Sequence, residues 1–307
     1  MKLPDPRNSN ILIYINGELQ PREEAKISVF DSAVQGGDAV WEGLRVYKGR
    51  IADLDNHLIR LLNSAKALAF KVIPSSDDIR KAIFLTLEAN GMWDETHIRL
   101  TLTRGEKITS GMNPKLNQLG CTLIVLAEWK PPVYSNSGIR VITSSIRRNS
   151  PQHLDSKIHH NNLLNNILAI IEANVAKVDS AVMLDVNGFI SETNDTNIFL
   201  VRDNQILTPT TDSCLPGLTR KMILELAAQQ EITTLEKNLS NTDLYSADEV
   251  FTSGTMGEIT PVLEADGRKI GEGVAGSMTK RIQKLHAEYA YENGEQVPFK
   301  KPKKKGR

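Results

Sequence analysis

Lys157 stands in "LDSKIHHNN" (154–162), a polar, loop-like segment directly ahead of "NNLLNNILAIIEANVAK", whose apolar spacing is helical. An amine placed there is either solvated surface or a nucleophile toward a carbonyl, and a nucleophilic amine must be neutral, which needs a sheltered site beside other charges. Glu192 follows 35 residues later in "ISETNDTNIF" (190–199), a strand-like run from which its carboxylate either faces solvent or pairs with a protonated ring nitrogen. In "LPGLTRKMILELAAQQ" (215–230), Pro216-Gly217 precede an amphipathic helix. The amides of Leu218 and Thr219 therefore open that helix without partners inside it, and free N–H donors at the positive end of a helix dipole suit a phosphate. "SGTMGE" (253–258), with Thr255 and Met256, is a second small-residue turn whose amides could face an anion. Arg60 in "HLIRLLNSA" is a candidate cation for the same anion, or a surface arginine that buries only its stem.

These residues need a scaffold, and the chain predicts one of mixed type. "ILIYINGEL" (11–19) reads as a hairpin closed by Asn16-Gly17, "LIRLLNSAKALAF" (58–70) as a helix, and "HIRLTLTRG" (97–105) and "CTLIVLAEW" (121–129) as strands. "WKPPVYSNSG" (129–138), rich in Pro, Ser, Asn and Gly, has linker composition. Beyond it "IRVITSSIRR" is strand-like, a helix spans about 161–176, and "AVMLDVNGFISETNDTNIFLV" gives strands around an Asn187-Gly188 turn. A helix over 218–230 and a strand with a Ser/Gly/Thr turn over 248–262 complete the pattern. The expectation is an α+β protein of two domains: a small N-terminal domain over 1–128, a linker over 129–138, a large domain over 139–292 and a basic, disordered tail over 293–307.

A 307-residue chain exceeds the usual size of one core, in keeping with two domains. Lys plus Arg and Asp plus Glu balance at 37 each, so no field of one sign recruits nucleic acid or an anionic membrane. The N-terminus has no apolar core of the signal-peptide kind and no run is long enough to span a bilayer, so a cytoplasmic protein acting on small molecules is expected. Cys121 and Cys214 lie far apart without a metal or redox spacing and read as reduced and structural. His159-His160 is a poor metal pair, because adjacent residues rarely present two ligands to one ion.

Taken singly, each signal has an ordinary structural reading. As an ordered set, "VWEGLRVYKGRI" (40–51), "HLIRLLNSAK", the Lys157 segment, "MLDVNGFISE", "LPGLTR", "ADEVFTSGTMGEITPV" and "TKRIQ" (279–283) resemble the fold-type IV, or class IV, pyridoxal-phosphate aminotransferases. Within them they are most similar to the branched-chain amino-acid aminotransferases, over nearly the whole chain except the basic tail. The resemblance implies pyridoxal 5'-phosphate as cofactor, carried as a Schiff base on Lys157, with Glu192 at its ring nitrogen. It implies Arg60, Leu218, Thr219 and Thr255 at its phosphate and Leu215 on its ring face. Trp41, His97, Arg99, Thr255 and Met256 match positions that meet substrate. Strand alternation sends His97, Arg99 and Thr101 to one face, and the matching family arginine receives the distal carboxylate of glutamate. The implied reaction is transamination between branched-chain L-amino acids and 2-oxoglutarate, in branched-chain amino acid biosynthesis, by a homodimer.

Three positions depart from the branched-chain pattern: Asn162 replaces a tyrosine that bonds the cofactor's phenolic oxygen, Gly36 replaces a pocket aromatic, and His97 replaces a tyrosine near the substrate carboxylate. The pair His159-His160 is outside the family motif. D-amino-acid transaminases, (R)-amine transaminases and aminodeoxychorismate lyases share the fold and remain alternatives. "EKITSGMNP" after "TRG" lacks the Arg-x-His carboxylate trap of the D-amino-acid enzymes, and "VWEGLRVY" is closer to the aminotransferases than to the lyase. A binding protein that keeps the fold without catalysis is a further alternative, and the joint presence of Lys157, Glu192 and Arg60 argues against it.

Overall fold

Asn16 and Gly17, both at positive φ (47° and 102°), close a hairpin between β1 (Leu12–Ile15) and β2 (Glu18–Pro21), as their side chains permit. The computed structural model describes residues 3–301. Along the chain follow α1 (Ser32–Gly36), β3 (Ala39–Tyr47), β4 (Arg50–Ile51), α2 (Leu54–Ala67), α3 (Ser76–Asn90), β5 (Thr96–Thr103), β6 (Thr122–Trp129) and β7 (Ile139–Thr143). Then come α4 (Leu164–Ala176), β8 (Ser180–Leu184), β9 (Ile190–Thr193), β10 (Asn197–Arg202), β11 (Gln205–Thr208), α5 (Leu218–Gln229) and β12 (Thr234–Glu236). The last elements are α6 (Asn241–Tyr245), β13 (Glu249–Gly254), β14 (Glu258–Ala265), β15 (Arg268–Lys269), α7 (Ser277–Glu292) and β16 (Glu295–Gln296).

The chain divides into two units. The first holds the residues up to Pro131, His159–Asn162 and those from Tyr289 onward; the second holds Pro132–Ile158 and Leu163–Glu288. In the first unit a seven-stranded sheet runs β16-β4-β3-β5-β6-β1-β2, with α2 packed on β3 and α3 on β1 and β6. Alternation along β3 buries Val40, Leu44 and Val46 with Leu58, Leu61 and Ile83 of the helices. It sends the carboxylate of Glu42 to that same apolar face, where it is fully buried.

Parts of the chain differ from the sequence expectation, among them Tyr289–Glu292, which join the first unit rather than the expected large domain. His159–Asn162, expected inside the large domain, belongs to the first unit because it pairs with β3: Trp41 N donates to His159 O (3.0 Å) and Asn161 N to Ala39 O (2.7 Å). The tail expected to be disordered from 293 contains β16, which pairs antiparallel with β4 through Glu295–Ile51 and Gln296–Arg50. Residues 302–307 of the basic run lie outside the described residues.

The second unit is built on a nine-stranded sheet, β12-β11-β10-β13-β14-β7-β8-β9, with β15 on β14. Both faces of its central strands are buried. On β10, Ile198 and Leu200 join a core with Leu184, Ile190 and Val262, while Phe199 and Val201 join another with Ile223, Phe251 and Ile282. Phe199 and Phe251 stack with ring centroids 4.9 Å apart. Among the described residues, no helix is long and apolar enough to cross a membrane.

Candidate active site

In the second unit, Lys157 lies in the connection from β7 to α4. The loop is held locally: Lys157 N donates to Asp155 Oδ1 (2.9 Å), and the buried Ser156 hydroxyl donates to Asn149 O (2.8 Å). The Lys157 side chain is exposed, where chemistry predicted a sheltered amine. Charges are nevertheless within its range. Burial pushes the Cys214 thiol up, Glu192 pushes it further, and Arg220, Arg148 and Lys157 pull it back, so all four act on one buried sulfur.

Glu192, on β9, is buried and opposite Met183 of β8. Its Oε1 accepts from Arg148 Nε at 2.5 Å; Oε2 accepts from Leu215 N at 3.3 Å and Asn197 Nδ2 at 3.4 Å. Burial pushes its carboxyl up and Arg148 pulls it back. Asn197 Nδ2 also donates to Leu215 O (2.9 Å), which fixes the segment entering α5. Gly217 is the cap residue of α5 and makes no side-chain cap bond, so the amides of Leu218 and Thr219 begin the helix without one. A Cβ at Gly217 would fall 2.0 Å from Asn197 Oδ1, so a larger residue there would displace the Asn197 amide that bonds Leu215 O. Thr255 and Met256 form the turn from β13 to β14, and Met256 O accepts from Val133 N (2.9 Å). Ser253, opposite Asn197 in the β10–β13 register, has a buried hydroxyl without a partner.

In the first unit, Glu42 collects four donors: Arg60 Nε (2.8 Å) and Nη2 (2.7 Å), His57 Nδ1 (2.6 Å) and His159 Nδ1 (3.0 Å). Burial alone would push Glu42 up; His159 and Arg60 override it and hold the carboxyl well below the usual range. Burial takes His159 down to about 4 against the pull of Glu42, so its imidazole is neutral at pH 7. There the charge comes from Arg60, and His159 contributes its N–H. His57 and Arg60, one turn apart on α2, face Glu42 together.

The opposite face of β3 and β5 carries the expected substrate residues. Arg99 lies opposite Gly43, and its guanidinium carbon is 3.5 Å from the Trp41 ring centroid. Arg99 Nη2 donates to Asn161 Oδ1 (2.5 Å), and burial lowers its pKa to about 10, which leaves it charged at pH 7. His97, opposite Arg45, is brought down to about 3 by burial, then by Lys130, Arg99 and Arg45. It is neutral, and its buried Nε2 has no hydrogen-bond partner. Gly36 ends α1 with open space around it, and Asn162 lies beside Gly37.

Lys157, Glu192, Leu215, Leu218, Thr219, Thr255 and Met256 thus fall in the second unit, and Trp41, Arg60, His97 and Arg99 in the first. Sequence reasoning missed Arg148, Asn197, Glu42, His57 and Asn161. Glu42 carried a readable signal: a carboxylate on the apolar face of "VWEGLRVY" must be paired if that face is buried. Nothing in "SSIRRNS" marks Arg148 over its neighbour Arg147.

The donor set suits a phosphorylated pyridine aldehyde: an amine, a carboxylate for the ring nitrogen, an uncapped helix start for the phosphate and an unsatisfied Ser253 hydroxyl among them. Comparison with known proteins points the same way. The family model for amino-transferase class IV matches residues 39–265. The branched-chain-amino-acid aminotransferase-like protein 2 of Arabidopsis thaliana is 57% identical over 297 residues, 96% of this chain and 53% of that protein. The chain spans about half the length of that relative and of the similar Arabidopsis protein 1. The solved branched-chain amino acid aminotransferase of Escherichia coli superposes with a TM-score of 0.87 at 33% identity, covering 94% of this chain and 98% of that one. Another solved branched-chain enzyme, 34% identical with a TM-score of 0.85 over 91% and 93% of the two chains, is complexed with N-(5'-phosphopyridoxyl)-L-glutamate.

Proposed function

The chain belongs to the class IV aminotransferases, whose cofactor is pyridoxal 5'-phosphate, and from that premise we propose that it is a transaminase moving the amino group of branched-chain L-amino acids to 2-oxoglutarate. The observation that carries the reading is the buried Glu192, held by Arg148 and by the Leu215 amide at the mouth of α5. A carboxylate so placed has a cation on one oxygen and weak donors on the other, which suits it to accept a further N–H.

The bound cofactor supplies an electron sink for the electrons released when the substrate α-proton leaves. Lys157 Nζ would hold the cofactor through its aldehyde carbon and, as a free amine, would accept the proton of the substrate α-carbon. The Glu192 carboxylate would face the ring nitrogen and favour its protonated form. The family resemblance assigns phosphate binding to the Leu218 and Thr219 amides, to Thr255 and to Arg60, and the ring face to Leu215. Glu42 takes two of the five N–H groups of Arg60, which orients the rest. Trp41 walls the side-chain pocket and Arg99 receives the second carboxylate of 2-oxoglutarate. The family resemblance assigns the α-carboxylate to His97 and to the Thr255-Met256 turn.

The same reading makes the active form a homodimer of a branched-chain amino acid biosynthetic enzyme. In its support, α4 exposes Leu164, Leu168, Ile171 and Val175, an apolar stripe at helical spacing. The test is a panel of L-leucine, L-valine, D-alanine and an (R)-amine, each with 2-oxoglutarate and pyruvate, with the visible spectrum of the protein followed during turnover. Bleaching and keto-acid formation with L-leucine support the reading; activity confined to D-alanine or the (R)-amine replaces the substrate assignment.

A further inference from the structure

We propose that His159 is a positioning residue that ties the arginine holding the phosphate to the wall of the side-chain pocket, so that one imidazole sets both cofactor retention and substrate affinity. The inference rests on the roles proposed above for Arg60 and Trp41, and deepens them.

Three contacts carry it. His159 Nδ1 donates to Glu42 Oε1, the oxygen that also accepts from Arg60 Nε. The imidazole lies against the Trp41 indole, centroids 4.3 Å apart and planes tilted by 40°. The backbone around it is pinned on both sides: His159 N donates to Ser64 Oγ on α2 (3.1 Å), and His159 O accepts from Trp41 N (3.0 Å). The Trp41 indole Nε1 donates to His160 O (3.1 Å), and Asn161 takes the Arg99 guanidinium. Residues 159–161 therefore fasten Arg60, Trp41 and Arg99 within one strand-like segment that begins two residues after Lys157.

The side chain has two separable halves, the donor at Nδ1 and the ring face. A neutral imidazole in this environment keeps Nδ1 protonated toward Glu42, and removal of that donor leaves a buried carboxylate oxygen with one partner fewer. Loss of the ring face instead lets Trp41 relax toward the space vacated.

The experiment uses the holoenzyme and two variants that divide the halves. His159→Phe keeps a ring beside Trp41 without the donor; His159→Asn keeps an N–H donor without the ring. Cofactor release is followed from the visible absorbance after dilution, and KM and kcat are measured with L-leucine. The expected result is release about threefold to tenfold faster for His159→Phe with KM close to that of the parent, and KM raised about threefold to tenfold for His159→Asn with release and kcat close to the parent. Arg60→Ala and Trp41→Leu are run beside them. If Arg60→Ala leaves release unchanged and Trp41→Leu leaves KM unchanged, the underlying site reading fails. If those two shift while both His159 variants match the parent, or move release and KM together in step with melting temperature, His159 is structural only and the inference is overturned.

Discussion

Arg148→Met removes the cation from a buried pair while nearly conserving volume, and the structure sets the size of the loss. Both side chains are only 6% and 7% exposed, and the Nε–Oε1 separation is 2.5 Å. The partners left to Glu192, at 3.3 and 3.4 Å, are long, so they offset little. Breaking one side of such a pair costs about 3–5 kcal/mol with the carboxylate ionised. Burial already raises Glu192 above its unfolded value, and loss of Arg148 raises it further. A carboxyl with a raised folded pKa loses stability as pH climbs from the unfolded value, about 4.3, through the folded one. The variant's deficit therefore grows with pH and shrinks toward low pH, where Glu192 is protonated in both proteins. The residue of the deficit at low pH, about 1 kcal/mol, is the lost bond from Arg148 Nη1 to Asn165 Oδ1 (3.1 Å). Urea unfolding at pH 5, 6.5 and 8 measures it, with Arg148→Met/Glu192→Gln as the pair that removes the stranded charge and recovers most of the loss. A deficit independent of pH, or a double variant no better than the single one, refutes the reasoning.

Other variants test the site directly. Lys157→Ala leaves a folded protein from which borohydride traps no cofactor, with turnover reduced by several powers of ten; retained turnover rejects Lys157 as the nucleophile. Arg60→Ala weakens cofactor affinity by about 1.5–3 kcal/mol in an equilibrium titration, with smaller effects on kcat once saturated. Glu192→Gln still binds cofactor but slows the single-turnover half-reaction with amino acid, and wild-type speed there removes the ring-nitrogen role. Arg99→Met raises KM for 2-oxoglutarate tenfold or more, the scale of about 1.5–3 kcal/mol, and leaves the half-reaction with leucine within roughly threefold; equal losses with both make Arg99 structural.

Much of this was legible because each signal has a local cause. The hairpin at Asn16-Gly17, the helix start at Gly217 and the strand alternation of His97, Arg99 and Thr101 follow from turn chemistry and period alone. What lay beyond the sequence was pairing over long separations. Residues 159–162 read as the approach to a helix, yet they pair with β3, 119 residues earlier, because the edge beside Val40 accepts another strand. Arg60 read as a candidate cation for phosphate; that Glu42 would take two of its N–H groups depends on β3 and α2 packing face to face. Lys157 is exposed where reactivity called for shelter, since a polar loop gives its own lysine nothing apolar to hide against.

The two buried glutamates explain why one chain needs both. Each has lost its water, and burial pushes each toward protonation. Glu42 has four donors within 3.0 Å, two of them from one guanidinium, and is driven well below the ordinary range. Such a carboxylate stays an anion through any change nearby, which suits it to hold cations in place and makes it useless for exchanging a proton. Glu192 has one close cation and two long donors and stays above the ordinary range. Its charge is under-compensated, so a further positively charged N–H meets it with a large gain, and that N–H is held protonated in turn. Exchange of the two environments would undo both proposed roles: a Glu42 with a single close donor would let Arg60 swing, and a Glu192 with four donors would have no lone pair left for a ring nitrogen. On the proposed reading, the difference in donor count, rather than burial, separates the carboxylate that anchors Arg60 from the one offered to the ring nitrogen.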